Sequence, residues 1–147
     1  MSLKNLQRIG QLEQHETDAA QVQKMLESAA RNLADARQES ISPANRLDIA
    51  YRASMQLAMV ALWANGYRPT MNRPGHHQTM IQSLVHSTGL DNDSMLILNS
   101  FRARRNAIDY TGAEVDEGTV EACITAGQRL TQHVRAWLTD NRPDLVA

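Results

Sequence analysis

The sequence predicts an all-α protein: an up-and-down bundle of four or five main helices forming one domain over residues 1–147. Three observations carry that prediction. Apolar residues recur at spacings of three and four, and no stretch alternates as a half-buried strand would. The composition is rich in Ala, Leu, Gln, Arg and Met, with only 4% aromatic residues, which favours helices over sheets. Ser, Asp, Pro and Gly stand at the joints between the periodic segments, where helices start and stop.

Each element follows in order. Residues 1–16, with Leu3, Leu6, Ile9 and Leu12 and an interruption at Gly10, read as a short helix or arm. Asp18 is a suitable N-cap for a first long helix reaching about Gln38. Its stripe of Val22, Leu26, Ala29, Ala30, Leu33 and Ala36 is narrow enough for close helix packing. Ser42-Pro43 opens a second helix, with Ser at the cap and Pro in the first turn. This is the most apolar segment and the predicted central helix, ending at Gly66. Tyr67 to Gly75, with Pro69 and Pro74, reads as a loop. A shorter helix spans His76 to about Ser87, with Ile81, Leu84 and Val85 inward and Gly89 closing it. Asp91 or Asn92 caps the next helix, which ends near Gly112. Asp116 or Thr119 opens the last, through Val120, Ile124, Leu130, Val134, Trp137 and Leu138. Pro143 stops it, leaving residues 142–147 as a tail.

Bulk properties bound the function. The chain has 147 residues, enough for one domain with a substantial core. A net charge of −1 provides no global field to recruit nucleic acid or an anionic membrane, so anion binding must come from a local cluster. Cys123, the single cysteine, excludes an intrachain disulfide and a cysteine zinc site and reads as a small core residue. The lack of a leader pattern and of a bilayer-length apolar run leads us to expect a cytoplasmic location and no membrane association.

The densest basic cluster is Arg102, Arg104 and Arg105, in the fifth predicted segment. Arg105 belongs to two helical stripes at once: Met95, Leu98, Arg102, Arg105, Asp109, and Leu98, Phe101, Arg105, Ile108. A guanidinium is therefore aimed along a face that otherwise reads as core, where an unpaired charge costs several kcal/mol. Either Asp109 neutralises it one turn on, or the face borders a cleft or subunit contact that takes an anion. Arginine suits the second role, because its planar fork clamps phosphate better than lysine does. Asn106 and Tyr110, four apart, share an adjoining face and offer an amide and a phenol. Gly75-His76-His77-Gln78 is the other candidate. Adjacent histidines point in different directions and lack a third ligand, so no metal site is expected; a histidine here could instead handle protons. His15, His86 and His133 stand alone and read as surface or partly buried structural residues; Arg46, Arg52, Arg68 and Arg73 read as a solvated face that would extend an anion surface if it lay beside Arg102.

At Arg105-Asn106-Ala107-Ile108-Asp109-Tyr110 the chain resembles the HEPN superfamily of nucleotide-binding helical proteins. The resemblance extends to Ala50-Tyr51, to Asn65-Gly66-Tyr67-Arg68-Pro69 and to Gly75-His76-His77. It implies a helical homodimer with a composite site that binds RNA or a nucleotide without any cofactor. Many such proteins are metal-independent ribonucleases, often the toxin of a toxin–antitoxin pair. Their signature is an Arg beside a polar residue, followed after four to six residues by a His. Arg105 and Asn106 match; Tyr110 stands where the histidine could first fall. The resemblance thus implies catalytic roles for Arg105, Asn106 and Tyr110, and substrate contacts from Arg102, Arg104, Asp109, His76 and His77. Cleavage would need His76 or His77 to supply the missing imidazole, or Tyr110 to replace it. The alternative is a non-catalytic helical dimer whose arginine face binds a protein partner, such as an antitoxin or a minimal nucleotidyltransferase.

Overall fold

A computed structural model describes residues 2–146. Among these, the chain forms helices α1 (Leu3–Arg8), α2 (Ala19–Ala36), α3 (Pro43–Ala64), α4 (His76–Ser87), α5 (Asn92–Thr111) and α6 (Glu117–Asn141). The all-α bundle holds, and five of these helices are the main ones. The predicted starts have direct physical causes. The Asp18 carboxylate accepts a hydrogen bond from the Ala20 amide, and Asp91 accepts one from Ser94, filling donors that a helix N-terminus leaves open. Pro43 opens α3 without losing a needed donor. Gly112 ends α5 in the left-handed conformation, at φ 66°.

Central α3 packs against α2, α4, α5 and α6. Thirteen of its twenty-two residues are buried, which is why its apolar residues run almost all the way round instead of forming one stripe. Helix α6 approaches closely at Gly127, where an added Cβ would stand 2.7 Å from Leu33 Cδ2. The core joins Val22, Leu26 and Leu33 to Leu47, Leu57 and Leu62, and to Val120, Ile124 and Val134.

Three expectations need correction. Two short strands exist: β1 (Leu12–Gln14) pairs antiparallel with β2 (Tyr67–Pro69), in the register Leu12↔Pro69, Glu13↔Arg68 and Gln14↔Tyr67. Three residues are too few to show an alternating pattern, and the ladder joins the predicted arm to the predicted loop. Arg68 Nε donates to Glu13 Oε1 at 2.6 Å across it. The C-terminal tail is also packed. Pro143–Leu145 forms a 3-10 turn with Leu145 buried, while the Leu145 carbonyl accepts from Gln23 Nε2 and Arg142 donates to the Ala64 carbonyl.

The third correction concerns Arg46. It is only 2% exposed, not part of a solvated face. Its Nε donates to the Ala36 carbonyl at 2.7 Å and its Nη1 to Glu117 at 2.8 Å. One side chain thereby satisfies the end of α2, the start of α6 and its own burial. Arg46→Ala removes the partner of a buried carbonyl and leaves a void, so it should cost about 2–4 kcal/mol in urea unfolding. Glu117→Gln, at an exposed carboxylate, should cost under about 1 kcal/mol.

Candidate functional site

Along α3 one stripe escapes complete coverage. Asp48, Tyr51, Arg52, Met55, Gln56 and Met59 follow the helical repeat and share a face. They line a cleft of about 290 Å³ completed by Met25 of α2, Met71 of the β2–α4 connection, His77 and Met80 of α4, and Arg105 of α5.

Arg105 Nε donates to Asp48 Oδ1 at 2.5 Å, and the second Asp48 oxygen lies 3.5 Å from Arg52. The counter-charge of Arg105 is therefore on α3, not at Asp109 one turn along its own helix. Burial of Phe101 and Leu98 sets the rotation of α5, and that rotation turns Arg105 toward α3. The Arg105 guanidinium carbon stands 5.3 Å from the centre of the Tyr51 ring, within cation–π range. With side chains 30% and 37% exposed, this pair contributes roughly 1 kcal/mol or less to stability. Its larger effect is to fix where the guanidinium points. Asp48 engages Nε, leaving the two Nη groups without a hydrogen-bond partner among the described residues.

Tyr51 O–H lies 3.4 Å from His77 Nδ1. Burial pushes the Tyr51 phenol up to about 12, against the opposing charges of Arg105 and Arg102, so it stays protonated at neutral pH. His77 is held below the ordinary histidine value, first by burial and then by the charges of His76, Arg105 and Arg102. A neutral His77 accepting from Tyr51 at Nδ1 carries its own proton on Nε2, which makes that atom a donor.

The structure thus brings two of the sequence-predicted residues, Arg105 and His77, to one cleft. Arg102 is near enough for its charge to act on Tyr51 and His77, and its Nε donates to Asn99. His76 packs edge-on against His77 at 4.6 Å. Asn106 is half-buried, while Arg104, Asp109 and Tyr110 are exposed; none of these four lines the cleft. Tyr110 is 90% exposed and contributes nothing to this cleft. Asp48 and the methionine lining are what periodicity passes over. Their one available signal is the polar set Asp48, Arg52 and Gln56, four apart on the most apolar helix. Among the described residues no three His, Cys, Asp or Glu side chains are grouped as a metal site would need.

With fold and cleft described, comparison adds no relative: the chain matches no family model, no curated protein and no solved structure.

The depressed His77 value sets a pH window. Above the ordinary value of 6.5, folded and unfolded states are both neutral at this residue and stability is full. As pH falls below 6.5 the unfolded chain takes up a proton that the folded state resists, so stability is lost through the window down to the folded value. Urea unfolding between pH 7.5 and 5 should show this decline, and His77→Gln should flatten part of it.

Proposed function

We propose that the chain is a HEPN-like module that binds the phosphate of a nucleotide or RNA in the cleft between α3, α4 and α5. One observation carries this reading: Arg105 and His77, from separate helices, line the same cleft. The Nη groups of Arg105 supply a charged fork, and His77 Nε2 adds a neutral donor beside it. Together they can hold phosphate oxygens from two directions. Arg52 and Arg105 against Asp48 leave the lining one positive charge in excess, the sign that an anion needs. In this reading His77 would supply the imidazole that the Arg-to-His signature lacks in sequence.

The same geometry makes binding the main activity and cleavage weak. In the tautomer where Tyr51 donates to Nδ1, His77 has no free basic nitrogen to activate a ribose hydroxyl. Proton transfer through it would require the Tyr51 contact to reverse, and loss of a general base costs about a hundred- to ten-thousandfold in rate. A two-fold dimer, in which the exposed Arg104 and Tyr110 face a second copy, belongs to this proposal.

The reading of a protein-binding module has its own support. An apolar groove of about 470 Å³ lies between α5 and α6, floored by Leu90, Leu98 and Leu130 and rimmed by Ile97, which is half-exposed. A helix from a partner such as an antitoxin or nucleotidyltransferase would fit a groove of this kind.

Calorimetric titration with AMP and with a short single-stranded RNA separates the readings. Wild type should bind both, more weakly as salt rises, and Arg105→Ala should lose at least tenfold in affinity while its circular dichroism is unchanged. Labelled RNA held in EDTA should stay largely intact. Binding by Arg105→Ala equal to wild type would remove the phosphate reading and leave the protein-partner one.

A further inference from the structure

We propose that this cleft holds one nucleotide at a time, with the base against a wall of methionines and little discrimination among the four bases. The inference rests on the phosphate-binding reading of Arg105 and adds what the rest of the ligand touches.

Five of the seven methionines in the chain line this one cleft. Met55 and Met59 come from α3, Met80 from α4, Met25 from α2 and Met71 from the connection before α4. Met55 and Met80 belong to the core and Met25 and Met59 pack against it, so the wall is the cleft-facing edge of that packing. A thioether is polarisable, forms favourable contacts with aromatic rings, and adapts its shape through three rotatable bonds. A wall of them suits a flat ring whose outline varies. At 1.5 Å per residue, Met55 lies about 10 Å along α3 from Asp48, the partner of Arg105. A ligand with its anionic end at Arg105 would therefore extend its body along the methionines.

Two further observations narrow the class. A volume of about 290 Å³ is at the lower end of small-molecule sites, about 300 Å³ upward, so it admits a single nucleotide unit and not a base pair. Most polar groups beside the wall are already engaged. Gln56 Nε2 donates to Ser28 and its Oε1 accepts from Asn32. Asp48 serves Arg105 and Arg52, and Tyr51 faces His77. Reading a base requires donors and acceptors set against its edge; beside this wall only Arg52 and the second N–H and lone pair of Gln56 remain, a sparse set for telling four bases apart. A free mononucleotide and an unstacked base of a single strand present the same chemistry here.

Equilibrium titrations with inorganic phosphate, ribose 5-phosphate, AMP, GMP, CMP, UMP, a single-stranded hexanucleotide and an RNA duplex test this. The four mononucleotides should bind within about fivefold of one another, each at least tenfold tighter than ribose 5-phosphate. Met59→Ser, at a half-buried position, and Met71→Ser, at an exposed one, should each erode that advantage at least threefold. Their affinity for ribose 5-phosphate should stay as in wild type, which also reports that the cleft is folded. Met59→Leu should retain most of the advantage. A hexanucleotide at least tenfold tighter than AMP identifies a strand as the source, and parity identifies the free nucleotide; both support the proposal. Mononucleotides no tighter than ribose 5-phosphate would overturn the methionine wall while leaving the phosphate site standing, provided that binding still needs Arg105. One base preferred more than twentyfold, or a duplex that competes as well as the single strand, would also overturn it. Failure of every ligand, phosphate included, would overturn both readings.

Discussion

The ion pair between Arg105 and Asp48 joins α5 to α3, and the cleft depends on it. A guanidinium in an apolar register must find a counter-charge or reach water, and here it does part of each. Asp48 holds Nε, while the partly exposed remainder of the group stays on the cleft wall. The modest stability of such a pair means that it does not hold the bundle together. Burial around α3 does that, and the pair acts as a pointer mounted on the resulting frame. Without Asp48, Arg105 would lose its fixed direction; without Arg105, Asp48 and Arg52 would cancel and the lining would lose its excess positive charge.

Burial and charge divide the work inside the cleft. Burial pushes the Tyr51 phenol up and the His77 imidazole down, so both are neutral donors or acceptors near pH 7, and the permanent charges are those of arginine and aspartate. In the binding we propose, a site composed this way would hold an anion over a wide pH range. In the tautomer that accepts from Tyr51 at Nδ1, His77 is engaged at one nitrogen and protonated at the other, which disfavours proton transfer. The methionines supply a second, apolar half, which is why the ligand we propose is charged at one end and flat and apolar along its length.

Much of the fold was legible because helix ends in this chain are strongly punctuated. Asp18, Ser42-Pro43, Gly89, Asp91 and Gly112 all mark boundaries by local chemistry that operates without tertiary context. The β1–β2 ladder was not legible, since three-residue strands carry no period and their pairing spans more than fifty residues. Arg46 illustrates the same limit: its register on α3 says nothing of the carbonyl at the end of α2 that it satisfies. The site was half legible. Arg105 stood out as a charge in an apolar register, and His77 as one of an adjacent pair. Their meeting depends on how α4 and α5 pack on α3. The ready in-helix partner, Asp109, drew attention from Asp48, which lies fifty-seven residues away in sequence.

In the binding we propose, one cleft takes both the charged and the flat part of its ligand. Methionine-methyl and histidine-ring NMR spectra recorded during a titration with AMP test this. The methyl signals of Met55, Met59 and Met80 and the His77 ring signals should shift together along one binding curve, while Met95, outside the cleft, stays in place. Shifts at Met95 or His133 without movement of the cleft methionines and His77, or no shift at saturating nucleotide, would contradict it.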